Sequence, residues 1–214
     1  MSRADAEILW EVASDLARTA AEVSRAAGPD LPPLLFFTDP ERTPRPWETA
    51  AGLPTGAGVV YRHFGAARAR QTAQRLREVT ASRGVRLLIG LDDELAREIG
   101  ADGVHLPEHA LGRAGALAER HPGWLITGAA HGPGALGPIA GLHASILSPV
   151  FPAGGASAVR RVLGPARFRD LVGRAARPVY ALGGVTAGNA PELLESRACG
   201  LAGVGSVAAA FGPD

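Results

Sequence analysis

The chain has 214 residues, 46% hydrophobic and 5% aromatic, which is enough for one sizeable core. Its 22 basic residues are all arginine, and the absence of lysine excludes a Walker-type phosphate loop, a pyridoxal Schiff base and a Schiff-base aldolase. One cysteine excludes a disulfide framework or Cys-rich zinc site, and a net charge of +1 gives no global attraction to nucleic acid or an acidic membrane. No apolar run approaches the ~18 residues of a membrane span. Residues 1–30 carry charges throughout, without the apolar block of a signal peptide. A soluble, cytoplasmic, single-domain protein is expected.

Residues 4–26 are predicted as one helix, because Ile8, Leu9, Val12, Leu16 and Val23 recur at helical spacing with acidic residues and Arg18 between them. Gly28-Pro29 and Pro32-Pro33 stop it. An alternation follows. Short apolar runs at 34–38, 59–64, 86–91, 103–106, 124–130, 144–150, 179–182 and 201–204 read as strands. Segments 66–83, 92–100, 111–120, 165–175 and 187–196 read as helices. Two connections, 42–57 and 132–142, look poor in helix because prolines crowd the first and glycines the second. Runs of this kind suit strands covered on both faces, as in a parallel sheet. Eight of them predict an α/β fold, a (β/α)8 TIM barrel over 33–208 with an extra N-terminal helix within 1–30. The rival is a doubly wound open sheet, which lacks its GxGxxG after the first strand.

In a parallel barrel the ligand sits at the C-terminal strand ends. Two glycine-rich turns fall there. Ala181-Leu-Gly-Gly-Val-Thr186 follows the seventh strand, where Thr186 is placed to cap the next helix. Gly203-Val-Gly-Ser206 follows the eighth. Glycine lets backbone N–H groups approach an anion, and the loops after strands 7 and 8 are the usual phosphate site of such barrels. Gly183, Gly184, Gly205 and Ser206 are therefore the expected phosphate nest. His131 stands at the fifth strand end, where a base with a pKa near neutrality can move protons. His105 lies inside a strand and reads as a structural, hydrogen-bonded histidine. His63, His109 and His131 have no ligand-pair spacing for zinc. Asp92-Asp93 reads as a helix cap, and the arginines from Arg62 through Arg68, Arg70, Arg75 and Arg77 as a solvated helix face.

Several of these segments resemble the family of thiamin phosphate synthase and the related thiazole tautomerase. Leu35-Phe-Phe-Thr-Asp39 resembles the first strand, and Ala101-Asp-Gly-Val-His-Leu106 is the most specific match. Continued through Pro107-Glu108, it looks closer to the tautomerase branch. Gly128-Ala-Ala-His131, Ser148-Pro-Val-Phe-Pro152, Pro178-Val-Tyr-Ala-Leu-Gly-Gly-Val-Thr186 with Asn189, and Gly200-Leu-Ala-Gly-Val-Gly-Ser206 follow in family order. The resemblance covers residues 33–208 and implies the same barrel.

It also implies a chemistry. The family's synthase joins a hydroxymethylpyrimidine diphosphate to a thiazole phosphate, with magnesium holding the diphosphate. Here the family's magnesium Asp after the third strand aligns with Leu91, and its second acidic ligand with Ala110. Arg62 remains after the second strand, but the Glu and Lys that follow it in the family are gone, and Phe64 stands in that stretch. Arg160 and Arg161 are candidate substitutes for the lysine of the loop after Phe151, since arginine binds phosphate by a bidentate fork. The resemblance thus gives Arg62, Ser148, Arg160 and Arg161 as substrate-binding residues and His131 as the acid–base group. That histidine occurs in both branches and does not separate them. The favoured expectation is a proton-transfer enzyme on a thiazole phosphate, with no cofactor and no metal. Magnesium returns only in a synthase with a rearranged site, using Asp92 or Asp93. A phosphate-ligand-binding protein without catalysis is the third reading. The expected partner is a small phosphorylated thiazole or pyrimidine, not nucleic acid or a membrane; a homodimer is compatible with it.

Overall fold

Eight short parallel strands close on themselves in sequence order: β1 (Leu34–Phe37), β2 (Gly58–Tyr61), β3 (Arg86–Gly90), β4 (Gly103–Leu106), β5 (Leu125–Ala130), β6 (Ala144–Leu147), β7 (Val179–Ala181) and β8 (Gly200–Gly203). They belong to a computed structural model that describes residues 3–23, 30–154 and 161–213. Leu35 of β1 stands opposite Gly58 on one side and Ala202 on the other, so the sheet has no free edge. The fold is the expected (β/α)8 barrel.

The apolar runs are continuous because both strand faces are covered. Leu35, Phe37, Val60, Leu88, Ile146 and Tyr180 point into one cluster that fills the barrel. Their neighbours Leu34, Phe36, Val59, Leu87 and Val104 belong to a second cluster, shared with the surrounding helices. Tyr180 is fully buried and its hydroxyl donates to the Pro32 carbonyl at 2.7 Å, so the seventh strand is tied to the segment that enters the first.

The N-terminal helix α1 (Arg3–Val23) buries Leu9, Val12, Ala13 and Leu16. It lies against β8 and the last helix, α7 (Gly205–Phe211). The part of the predicted helix beyond Val23 falls outside the described residues. The other α-helices are α3 (Ala69–Arg83), α4 (Asp93–Glu98), α5 (Ala114–Arg120) and α6 (Gly164–Gly173), together with α2 (Pro46–Gly52).

The helix α2 corrects the helix-poor reading of 42–57. Pro46 lies in its first turn, where a missing N–H costs nothing, so proline there starts a helix. The helix expected over 187–196 is a 3-10 helix at Ala190–Ser196. The connection 132–142 holds only a 3-10 turn at Pro133–Leu136. There the Arg177 guanidinium bonds Ser145 Oγ at 3.1 Å and the Gly137 carbonyl. The arginine stretch is also corrected in part. Arg68, Arg70 and Arg75 are exposed, but Arg77 reaches Asp102 at 2.7 Å, and Arg62 lies at the barrel mouth rather than on α3.

Two predicted strands end three residues early. The runs 59–64 and 144–150 stop in the sheet at Tyr61 and Leu147. The residues beyond them, including Arg62, Phe64, Ser148 and Phe151, leave the ladder. Most of those residues serve the mouth of the barrel.

Candidate functional site

Two adjoining cavities open at the C-terminal ends of the strands and share Arg62, Phe64 and Leu182. The smaller, of about 340 Å³, is walled by Gly183, Gly184, Gly205 and Ser206 together with Arg42 and Arg62. Gly183 and Gly184 have φ of +94° and +66°, a backbone region that L side chains rarely adopt. A Cβ on Gly184 would stand 2.3 Å from the Pro152 carbonyl oxygen, and one on Gly183 2.8 Å from Pro149 Cα. These glycines are thus required by the close approach of the 149–152 loop, whatever binds in front of them. Asn189 pins the turn, its Oδ1 accepting from Thr186 N at 2.8 Å and its Nδ2 donating to the Gly184 carbonyl at 2.9 Å. The expected capping by the Thr186 side chain is replaced by this bridge.

Gly205 and Ser206 begin α7 on the opposite wall. Over Gly205 lies the guanidinium of Arg42, with Nη2 2.9 Å from the place a Cβ would take. Arg42 is held there by a turn in which Asp39 Oδ1 accepts from the Glu41 and Arg42 N–H groups, each at 3.1 Å. Sequence reasoning missed Arg42. The one available signal was an Asp three residues before it, directly after the first strand, which marks an Asx turn.

Arg62 separates the two cavities. Its backbone N–H donates to Thr38 Oγ1 at 2.9 Å and its Nε to the Thr38 carbonyl at 2.8 Å. Its guanidinium lies between two aromatic rings, 5.4 Å from the Phe37 centroid and 5.4 Å from that of Phe64. Burial pulls its pKa below the ordinary value; Asp39 opposes this and the Arg42 charge adds to it.

The larger cavity, of about 710 Å³, is walled mostly by carbon and by four imidazoles, those of His63, His105, His109 and His131. His131 directly follows β5. Its N–H donates to Glu108 Oε2 at 2.8 Å, and its Nδ1 lies 3.2 Å from both the carbonyl and the Oγ of Ser148. A carbonyl only accepts, so Nδ1 carries the proton. Nε2 then keeps its lone pair and has no partner among the described residues. Ser148, itself buried, is thus the group that sets the His131 tautomer.

His105 behaves as the sequence reading expected. It is 6% exposed, its Nδ1 meets Thr127 Oγ1 at 3.0 Å, and it packs edge-on against Phe37. Burial first, then the Arg62 and His131 charges, push its pKa down to about 3. His63 is committed too: Nδ1 accepts from Gly65 N at 3.1 Å, and Nε2 faces Asp92 Oδ2 at 3.3 Å. His109 is exposed at the rim.

A magnesium ion needs hard oxygen donors in near-octahedral array, and the carboxylates here are spoken for. Asp92 Oδ1 caps α4 by accepting from Leu95 N at 2.9 Å, as expected of it, while its Oδ2 faces His63. Asp93 pairs with Arg113 and Arg120, and Glu108 holds the His131 backbone. Leu91 and Ala110 contribute no oxygen. Among the described residues no group of three or more His, Cys, Asp or Glu is placed to hold a metal. The donor set does not fit magnesium. Arg161 is exposed and walls neither cavity, and Arg160 lies outside the described residues. Among the described residues, no helix is long and apolar enough to cross a membrane.

The family model for thiamine monophosphate synthase matches residues 49–207, from α2 into α7. The chain belongs to the thiamine monophosphate synthase family. A Geobacter sulfurreducens protein provisionally named a thiamine-phosphate synthase is 32% identical over 141 residues, which is 65% of this chain and 66% of that one. The thiamine-phosphate synthase of Methanoculleus marisnigri is 30% identical over 135 residues, 62% of this chain and 64% of that one. The matches thus span just under two thirds of these relatives. Among solved structures, the thiamine phosphate pyrophosphorylase of Pyrococcus furiosus superposes with a TM-score of 0.66 at 21% identity, covering 83% of this chain and 91% of that one. The HpcH/HpaI aldolase of Desulfitobacterium hafniense gives 0.55 at 16% identity, over 82% and 86%. At such identity these likenesses show the barrel alone, since one barrel serves many chemistries.

Proposed function

We propose that this thiamine monophosphate synthase family member is a metal-independent proton-transfer enzyme acting on a thiazole monophosphate. The observation that carries the proposal is His131. Its Nδ1 is engaged by Ser148, which leaves Nε2, without a partner among the described residues, as the nitrogen available to exchange a proton in the cavity beside the glycine nest. In this reading the phosphate sits against Gly183, Gly184, Gly205 and Ser206, with Arg42 and Arg62 supplying charge. The ring extends past Arg62 into the larger cavity. His131 Nε2 takes a proton from one carbon, the electron pair left behind shifts the ring double bonds, and the proton is returned at the carbon where the pair arrives, so the only σ bonds broken and made to carbon are C–H. His105, kept neutral by burial, contributes no charge to this step.

The test uses thiazole phosphates bearing an exchangeable ring-carbon proton, followed by NMR in heavy water. His131→Ala is expected to lower exchange by about 100-fold or more with KM nearly unchanged, as for loss of a general base. Full exchange in the variant would refute the assignment.

The names of the two curated relatives favour a second reading, in which the chain is a synthase with a rearranged site. It requires Asp92 or Asp93 to leave its present partner for magnesium. Formation of thiamin phosphate from the two substrates, dependent on added magnesium, would establish it over the first.

A further inference from the structure

Phe64 and Leu91 stand on neighbouring loops after β2 and β3, and both wall the larger cavity. Each has a backbone that disfavours it. Phe64 has φ +47° in a turn closed by Ala66 N to the His63 carbonyl at 2.8 Å, with Gly65 next at φ +79°. Two consecutive positive φ values belong to a turn type dominated by Gly, Asn and Asp. Leu91 has φ +65° and is the centre of a three-residue turn closed by Asp92 N to the Gly90 carbonyl at 2.8 Å, a rare and strained turn for an L residue. Neither side chain recovers that strain by burial: Phe64 is 71% exposed and Leu91 42%. Glycine would serve both turns better. Strain of this kind persists where the side chain is used.

The polar groups beside this wall are already matched to one another. His63 faces Asp92, Asp92 caps α4, Asp93 pairs with Arg113, and Arg62 is stacked under the Phe64 ring. The wall therefore offers carbon to whatever enters, and a second anion placed against it would lose its water while Arg62, which lines both cavities, already serves the first anion. At about 710 Å³ the cavity is of the size that takes a drug-like ligand, well beyond one five-membered ring.

We propose that Phe64 and Leu91 are specificity residues, which select a phosphate monoester whose ring carries a neutral, apolar substituent of about the bulk of a second ring. Diphosphates are excluded. The inference rests on the phosphate reading of the smaller cavity but not on turnover, so loss of the proton-transfer assignment leaves it standing.

The test is calorimetric titration of the protein with inorganic phosphate, ethyl phosphate, phenyl phosphate, 1-naphthyl phosphate and phenyl diphosphate, with and without magnesium. Affinity is expected to rise about tenfold or more from ethyl to naphthyl phosphate, as burial of a bicyclic ring dictates. Phenyl diphosphate is expected to bind at least about tenfold more weakly than phenyl phosphate, and equal or tighter binding overturns the exclusion. Leu91 lines only the larger cavity, so Leu91→Gly is expected to flatten the rise while leaving the affinity for inorganic phosphate and the melting temperature undiminished. Phe64→Gly is expected to lower the ratio of naphthyl phosphate to inorganic phosphate affinity with its melting temperature undiminished, because glycine relieves both turns. Phe64→Asn, which tolerates positive φ, provides a second variant should the glycine weaken folding. Equal affinity for ethyl and naphthyl phosphate, or a rise retained in the variants, overturns the inference and leaves the phosphate reading intact. Failure of inorganic phosphate and every ester to bind overturns both together.

Discussion

His105 is expected to make the fold acid-sensitive, and the size of the effect follows from its surroundings. Unfolded, its imidazole takes up a proton near the ordinary value of 6.5; folded, buried against Phe37 and Thr127 and facing the Arg62 charge, it resists until about 3. Between these values the unfolded chain binds one more proton than the folded one, so stability falls as pH falls. The contribution is complete above 6.5 and is lost progressively below it. From about pH 7 to about pH 5 the loss is about 2 kcal/mol. Other titrating groups add their own slopes, so the measurement is a difference. Urea unfolding of the wild type and of His105→Asn is compared at both pH values. Asparagine keeps a polar atom near the Nδ1 position for Thr127 and removes the titration. The variant is expected to be weaker at neutral pH through the lost ring volume, yet to lose about 2 kcal/mol less than the wild type on acidification. Parallel losses in the two proteins would show that His105 titrates normally in the fold and would refute the burial argument.

Three further outcomes are expected. Gly184→Ala should lower stability by about 1–3 kcal/mol, because its φ is +66° and the new Cβ meets the Pro152 carbonyl at 2.3 Å, whereas Gly205→Ala should fold normally and weaken phosphate binding by displacing Arg42; thermal melts and titrations with inorganic phosphate read both. Arg62→Lys should weaken binding of phosphate esters by about tenfold, since an ammonium reproduces neither the stack between Phe37 and Phe64 nor the fork; unchanged affinity would remove Arg62 from the site. Cys199 is buried and its thiol pKa is raised by desolvation, so labelling by a thiol reagent should wait for unfolding; prompt labelling in native buffer would contradict that burial.

The barrel was legible because parallel strands covered on both faces leave uninterrupted apolar runs such as Leu34 to Phe37. Where those runs end was not legible. Apolar residues recur past the strand ends, at Phe64 after Tyr61 and at Val150 and Phe151 after Leu147, and this recurrence hides the polar residues Arg62, His63 and Ser148 at which the ladder gives way to the mouth. Proline misled at Pro46, which breaks a helix in its interior but starts one at its first turn. At the site, the structure brings together residues whose places follow from strand position: His131 and Ser148 meet, and Gly183, Gly184, Gly205 and Ser206 wall one cavity. Residues placed by loops were not. Arg42 is one arginine among many and becomes special only when the Asp39 turn lays it over Gly205. Arg161, expected by analogy of charge, stays in solvent.

The position of Arg62, with one face toward each cavity, ties the two halves of any ligand together. The Arg42 charge adds to the cost of charging Arg62, and an anion between them lowers that cost. The same Arg62 guanidinium lies 5.4 Å from the Phe64 ring centroid, so an anion held by Arg62 and a ring held by the apolar wall act on one shared side chain. Free energy is a state function, so the coupling runs both ways by the same factor: a phosphate that tightens the grip on a ring is itself gripped more tightly because of the ring. A ligand cut into its anion and its apolar body keeps this coupling, so each fragment is expected to bind more tightly in the presence of the other, and the intact molecule gains over the pair the entropy of joining them.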